Sequence, residues 1–268
     1  MSSPHGAKTP GESTVLVTRT EEQGTALRER LESLGARVIS VPAIRFVESE
    51  DIDGWNAALE RREAVTHLLF TSRIAARFFC ELSERAGVSR ELWRGCRIAA
   101  VGTGTAEYLR RQGLETDFVP RHSTGIGLAT ELVEHERLGP ESAVLLPQSQ
   151  LARPEVADFL RAAGCSVLTV SLYETLPEEP AHAAPLLELI DRGGRIDVAV
   201  FASPSALSGF VDMTGERGRR ILQDARIVSI GPTTSRALRE AGLEVSREST
   251  RPDVEALTRA IVDALSDP

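Results

Sequence analysis

Short apolar runs alternate along this chain with longer stretches in which apolar residues recur at helical spacing. "STVLVT", from Ser13, reads as a strand, and "EEQGTALRERLESLG" follows with Leu27, Leu31 and Leu34 on one face before Gly35 ends it. "ARVISVPAIRF" supplies a second strand. "THLLFTS" then gives a strand, "RIAARFFCELSERAG" a helix, "CRIAAVG" a strand and "TAEYLRRQG" a helix. Strands alternating with helices predict an α/β fold, in which parallel sheets are flanked by helices.

The pattern is written twice. "RIAAVGTGTAEYLRRQG" from Arg97 returns as "RIVSIGPTTSRALREAG" from Arg226. Gly35 and Gly164, Gly102 and Gly231, and Gly113 and Gly242 are all separated by 129 positions (164 minus 35). The same spacing aligns "VLVTRT" with "VLLPQS" and "ARVISVPAI" with "CSVLTVSLY", while "HLLFTSRIAARFF" and "VAVFASPSALSGF" correspond at 131 (203 minus 72). So long a period predicts two similar α/β domains rather than a solenoid. Two such domains are expected to leave a cleft, with ligands beyond the carboxyl ends of the strands.

Bulk properties narrow the function. At 268 residues the chain is of a size for two domains, and 26% charged with 41% hydrophobic residues is the balance of a globular protein. A net charge of −8 offers no global field for a nucleic-acid backbone, and 4% aromatics leave few stacking platforms, so nucleic acid is not expected as a partner. Cys80, Cys96 and Cys165 are odd in number and set in apolar sequence, which points to buried thiols in a reducing compartment. Residues 1–12 are polar, with Pro and Gly, and are expected to form a disordered tail. No apolar run reaches membrane-spanning length, and a cytoplasmic location with no membrane partner is expected.

The candidate chemistry lies where strands give way to helices. "FTSR", "FASPS", "VGTGT" and "IGPTT" each put Ser or Thr hydroxyls and backbone N–H groups at a helix N-terminus, a site that receives anions. Taken singly, each is better read as an N-cap. Four of them, repeated in both halves, point to an anionic ligand with several charged arms. "GTGTAE" fails the dinucleotide pattern at Glu107, and no Gly-Lys ending marks a P-loop. The histidines, at 5, 67, 122, 135 and 182, show no metal-ligand spacing, so no metal is expected. No G-x-S-x-G elbow is present. Tyr173, closing the strand in "VSLYETLP", reads either as an amphipathic cap on the sheet or as a weak acid offered to the cleft.

In this order, "VLVTRT", "LLFTS", "AAVGTGTAEYLRRQG", "VLTVSLYETLP", "VFASPSAL" and "SIGPTTSRALREAG" resemble the uroporphyrinogen-III synthase family, from about Val15 to Leu265. The resemblance implies two α/β domains joined by a two-stranded linker, residues 43–46 and 171–176, with a cleft between them. Domain one would comprise 13–42 plus 177–268, and domain two 47–170. It further implies a cofactor-free, monomeric enzyme acting on a linear tetrapyrrole. The reaction would be cyclisation of hydroxymethylbilane to uroporphyrinogen III, with loss of water and inversion of the last ring.

By the same resemblance Tyr173 is the catalytic residue. Substrate binding would fall to Ser72, Thr105, Ser203, Ser205, Thr233 and Thr234, with Arg19, Thr103, Ser149 and Arg153 as further contacts at neighbouring strand ends. Thr20, Gln148 and Ala202 depart from the family's pattern. The rival readings are a non-catalytic tetrapyrrole-binding or regulatory module on the same fold, and an unrelated two-domain receptor for small anions.

Overall fold

The computed structural model describes residues 7–50, 52–93 and 95–267. Its strands are β1 (Thr14–Val17), β2 (Arg37–Ser40), β3 (Ile44–Glu48), β4 (His67–Phe70), β5 (Arg97–Ala100), β6 (Ala143–Ser149), β7 (Ser166–Pro177), β8 (Val198–Phe201), β9 (Arg226–Ser229) and β10 (Val245–Glu248). Its α-helices are α1 (Glu21–Ser33), α2 (Ile52–Glu60), α3 (Arg73–Arg85), α4 (Thr103–Arg111), α5 (Gly125–His135), α6 (Glu155–Ala162), α7 (Ala184–Asp191), α8 (Pro204–Gln223), α9 (Pro232–Glu240) and α10 (Val254–Ser266). The chain divides into two compact units. The first takes residues up to Arg45 and those from Leu176 onward, and the second takes Phe46–Thr175.

Each unit is built on one five-stranded sheet, in the order β10-β9-β8-β1-β2 in the first and β3-β7-β6-β4-β5 in the second. The pairs β1/β2, β1/β8, β8/β9 and β9/β10 are parallel, as are β4/β5, β4/β6 and β6/β7. Parallel pairing requires crossovers, and these place helices on both faces of the sheet. The central strands are accordingly apolar throughout: "VAVF" of β8 is buried at every position. At the sheet edge β2 reads exposed, half-buried, half-buried, exposed.

Alternation along the strands feeds two cores in each unit. In the first unit Val15, Val17, Val198 and Val200 pack with α1 and α10 through Leu27, Leu31, Leu257 and Ile261. Leu16, Ala199 and Phe201 face the other way, against α7, α8 and α9. In the second unit Leu68, Phe70, Ile98 and Ala100 meet α2, α3 and α4, whereas Leu69, Ala99, Val144 and Leu146 meet α5 and α6. Three layers result in each case, with the sheet in the middle.

The repeat seen in the sequence matches β1 with β6, β8 with β4 and β9 with β5. Chain order reverses between β1 and β8 in one sheet and between β6 and β4 in the other. The counterpart of β10 has shrunk to a single bridge, Ala99 to Phe118. Segments 43–46 and 171–176 overlap β3 and β7, which are neighbours in the second sheet, and β7 continues to Pro177 as one long strand.

The first six residues of the expected tail lie outside the described residues. Those from Lys8 to Glu12 are docked rather than loose: the Lys8 N–H donates to the carbonyl of Leu265, its ammonium lies 2.8 Å from Asp197, and Pro10–Glu12 forms a 3-10 turn. Composition could not show this, because the anchor is a carboxylate 189 positions away.

Asp197 is 2% exposed. Burial by itself would raise its pKa. Hydrogen bonds from Lys8 and from the Thr14 N–H, with the charges of Lys8 and Arg195, outweigh burial and hold the carboxyl below the ordinary carboxylate range. A depressed carboxylate stabilises the fold above its unfolded pKa and loses that contribution as pH falls. Asp197→Asn is expected to cost about 2 kcal/mol in urea unfolding at pH 7. The gap to wild type should close below about pH 4. A gap independent of pH would contradict the charge-based account.

Candidate functional site

In both units the polar side chains gather at the carboxyl ends of the central strands, where the helices begin. This follows from the sheets: positions within the strands are enclosed between helices, so hydroxyls and charges collect where strands stop.

In the second unit β4 ends at Phe70, and Ser72 caps α3, its Oγ accepting from the Ala75 N–H at 3.0 Å. Ser72 Oγ also lies 3.3 Å from Tyr173 Oη, a long contact for two hydroxyls. Tyr173 stands on β7 in register with Ser149, the last residue of β6, and its carbonyl accepts from the Gln150 N–H at 2.9 Å. Its ring is stacked on Phe78 (centroids 5.2 Å, planes 8° apart) and meets Phe46 edge-on at 5.7 Å. The Arg77 guanidinium sits over the Phe78 ring, 4.7 Å from its centroid. Tyr173 is 7% exposed, and burial pushes its pKa up against the opposing pull of Ser72 and Arg77. The phenol therefore stays protonated at neutral pH.

The loop before α5 completes this end of the sheet. Thr124 caps α5 by accepting from the Gly127 N–H at 3.0 Å. A Cβ added at Gly102 would stand 3.3 Å from Ser123 Oγ, and one at Gly125 would stand 3.0 Å from Val156 and 3.6 Å from Thr71. The starts of α3, α4 and α5 are thus brought close around one rim. Glu131 secures the loop by accepting from the N–H groups of Arg121 and His122. The Arg121 bond is the largest effect on its carboxyl, and with those of His122 it overcomes the cost of desolvation and lowers the pKa. Sequence reasoning missed Ser123, Thr124 and Glu131. "HSTG" follows no apolar run, so nothing marked it as a strand exit.

In the first unit Ser203 caps α8 by accepting from the Ala206 N–H at 3.1 Å, with Ser205 Oγ 3.0 Å from its own Oγ. Arg19 follows β1 and lies over the first turn of α1, its Cβ 3.6 Å from where a side chain at Gly24 would begin. Its Nε is buried without a hydrogen-bond partner, and desolvation lowers its pKa. It lines a cavity of about 310 Å³ with Arg28, Pro42 and His182. Arg28 and His182 were not singled out from sequence, where Arg28 reads as an ordinary surface charge of a helix. Thr18, also missed, is fully buried and donates to the Val200 carbonyl at 2.8 Å, tying β1 to β8 at this end.

The remaining candidates divide by exposure. Thr103 and Thr233 are exposed in the first turns of α4 and α9, whereas Thr105 and Thr234, at 5% and 3% exposed, turn inward. Ser149 Oγ accepts from the Leu151 N–H at 3.2 Å. Arg153 is exposed and paired with Glu155 at 3.9 Å. Ser72 and Ser203 act as caps, so the bland reading describes what they do locally. Their second contacts, to Tyr173 and Ser205, are what capping leaves unexplained.

Fold and rims together describe a two-unit α/β protein whose strand ends offer neutral donors and one desolvated arginine. A family model described as uroporphyrinogen-III synthase HemD matches residues 25–259, and the chain belongs to that family. It is 26% identical over 253 residues to the uroporphyrinogen-III synthase of Chlorobaculum parvum, covering 94% of this chain and 99% of that one. The chloroplastic uroporphyrinogen-III synthase of Oryza sativa subsp. japonica is 29% identical over 265 residues, covering 94% and 80%. Among solved structures, a mutant uroporphyrinogen III synthase from Thermus thermophilus matches with a TM-score of 0.63 at 19% identity, covering 94% of this chain and 98% of that chain. The uroporphyrinogen-III synthetase of Helicobacter pylori matches at 0.62 and 16%, covering 94% and 99%. At these identities the two structures speak for the fold.

A half-buried guanidinium whose Nε lacks a hydrogen-bond partner detracts from the stability of the unliganded protein, whatever it does for a ligand. Arg19→Met is therefore expected to leave the urea unfolding midpoint unchanged or raise stability by about 1 kcal/mol. A loss of more than about 1 kcal/mol would show that Arg19 supports the fold rather than a ligand.

Proposed function

We propose that this protein closes the linear tetrapyrrole hydroxymethylbilane to uroporphyrinogen III, expelling water and inverting the last ring. Family membership supports the reaction. The observation that carries its chemistry is Tyr173, a buried, protonated phenol beside the Ser72 hydroxyl at a strand end.

The substrate bears acetate and propionate arms on every ring. Helix N-termini with hydroxyls hold carboxylates by charge-assisted hydrogen bonds, which lets a chain of net charge −8 bind a polyanion through neutral donors. In this reading Ser203, Ser205, Thr233, Thr234 and Arg19 serve one unit, and Ser72, Thr103, Thr105, Ser149 and Arg153 the other. Exposure ranks Thr103 and Thr233 ahead of Thr105 and Thr234 for direct contact, since the latter pair are enclosed. At the first turn of α1, Glu21 and Glu22 oppose an anion, which leaves Arg19 as the receiving group there.

The bond to the departing hydroxyl is broken by electrons from the adjacent pyrrole nitrogen, giving an azafulvene. Ser72 Oγ accepts from the Ala75 N–H and so can direct its own hydrogen to Tyr173 Oη. The phenolic hydrogen is then available to the leaving hydroxyl. Attack by the substituted carbon of the last ring gives a spiro intermediate that fragments and recloses with the ring inverted. Left alone, the same electrophile closes to the uninverted isomer, so catalysis is chiefly control of conformation.

The test is conversion of freshly generated hydroxymethylbilane by the purified protein, with chromatography of the oxidised isomers. Isomer III should predominate. Isomer I at the spontaneous rate, from a folded sample, would leave a tetrapyrrole-binding module. Tyr173→Phe is expected to lower turnover about tenfold with KM little changed, the value of one hydrogen bond made in the transition state. An unchanged rate would remove the role.

A further inference from the structure

The cavity beside Arg19 lies at the carboxyl end of β1 and β2, and its whole wall belongs to the first unit. The loop after β1 and the start of α1 form one side, Ser40 and Pro42 a second, and His182 and Pro185 a third. At about 310 Å³ it has the smallest size that organic ligands occupy, room for one pyrrole ring with its arms and not for four.

Two guanidiniums share this wall. Gly24 is buried in the first turn of α1, and a side chain there would begin 3.6 Å from the Arg19 Cβ, so the glycine leaves this stretch of wall to Arg19. Arg28 stands one turn further along the same face of α1. Helical side chains lean toward the N-terminus, which carries its stem back toward Gly24. Both arginines are half-buried. The Nε of Arg19 is enclosed, but neither Nη is, and these terminal nitrogens are the groups that a ligand would meet. Among the described residues neither arginine makes a hydrogen bond or an ion pair. Nearby cations are matched: Arg30 pairs with Glu255 at 3.6 Å and His182 with Glu178 at 3.3 Å. Glu21, which is exposed, is the one carboxylate of the wall, so positive charge is in excess there in a chain of net charge −8.

The second unit lacks these parts. Gln148 stands in place of Arg19, and Ala157, 2% exposed, in place of Arg28. Its helix α6 begins only at Glu155, so it has no turn matching the one that carries Gly24. Helix starts with hydroxyls recur in both units; this pair of cations does not.

We propose that Arg19 and Arg28 together hold the acetate and the propionate of one pyrrole ring of the substrate, each guanidinium taking one carboxylate, with the ring against Pro42 and Pro185. This rests on the tetrapyrrole reading above and goes beyond it by giving Arg28 a role and by limiting the cavity to a single ring. Two carboxylates on neighbouring carbons match two guanidiniums, and the planar fork of each can grip a carboxylate at two points.

The test uses the single pyrrole that carries an acetate and a propionate on adjacent carbons, with pyrrole-3-propionate as its one-armed counterpart, each titrated calorimetrically into the full chain. The two-armed pyrrole is expected to bind with a Kd below about 1 mM and the one-armed pyrrole at least tenfold more weakly. Arg28→Met should weaken the two-armed pyrrole about tenfold and Arg28→Lys less. Arg30→Met, which removes the same charge from the same helix outside the cavity, should not weaken it. With hydroxymethylbilane, Arg28→Met should raise KM about tenfold and change kcat little. No heat with the two-armed pyrrole, equal binding of the two pyrroles, or an Arg30→Met protein weakened as much as Arg28→Met would each overturn the assignment. Titration needs no turnover, so the two readings fail separately. A protein that yields isomer III, with Arg28→Met binding and turning over as wild type, keeps the reaction and loses the cavity. One that yields no isomer III, yet binds the two-armed pyrrole through Arg28, loses the reaction and keeps the cavity.

Discussion

Everything in this molecule depends on burying two sheets on both faces. A strand such as Val198–Phe201, enclosed at every position, cannot carry a ligand-binding side chain along its length. The hydrogen bonds of the ladder satisfy its backbone, and helices above and below exclude water from its side chains. Function is thereby confined to the ends of the strands. Of the two ends, the carboxyl one has chemical resources, because there the helices present unpaired N–H groups and the positive ends of their dipoles.

The same constraint explains why hydroxyls rather than charges dominate the site. A Ser or Thr at a strand exit stabilises its helix by about 1 kcal/mol whether or not a ligand is bound. A buried cation without a partner works against the fold. Ser72 and Ser203 therefore cost the protein nothing in its unliganded state, and Arg19, with a partnerless Nε and a lowered pKa, does. Each cap is accounted for by its helix, whereas the enclosed Nε of Arg19 has no structural partner to account for it.

The fold class and the duplication were legible in the sequence because apolar runs of strand length and glycine-stopped helices survive in both copies. The discontinuous make-up of the first unit was not legible from repetition, which would cut the chain near its middle. A contiguous cut and an insertion leave the same local pattern. In the site, Ser72, Ser203 and Tyr173 could be found because each ends an apolar run. Ser123, Thr124 and Glu131 could not, since their place is set by Gly102 and by the N–H groups of Arg121 and His122, contacts without a periodic signature. Lys8 was hidden for a related reason, its carboxylate partner lying just before β8, 189 positions along the chain.

What the two copies share and what they do not separates architecture from chemistry. Ser72 matches Ser203 and Thr105 matches Thr234, and both members of each pair keep the same burial or capping role. Hydroxyls placed at helix starts are thus a property of the repeated unit. Tyr173, by contrast, falls at the position of Ile44, and Arg19 at that of Gln148. A symmetric pair of binding rims could hold a polyanion, but it could not tell one end of a linear chain from the other. Directional chemistry on such a substrate needs one copy to differ, and the phenol on β7 and the desolvated guanidinium after β1 are where these copies do.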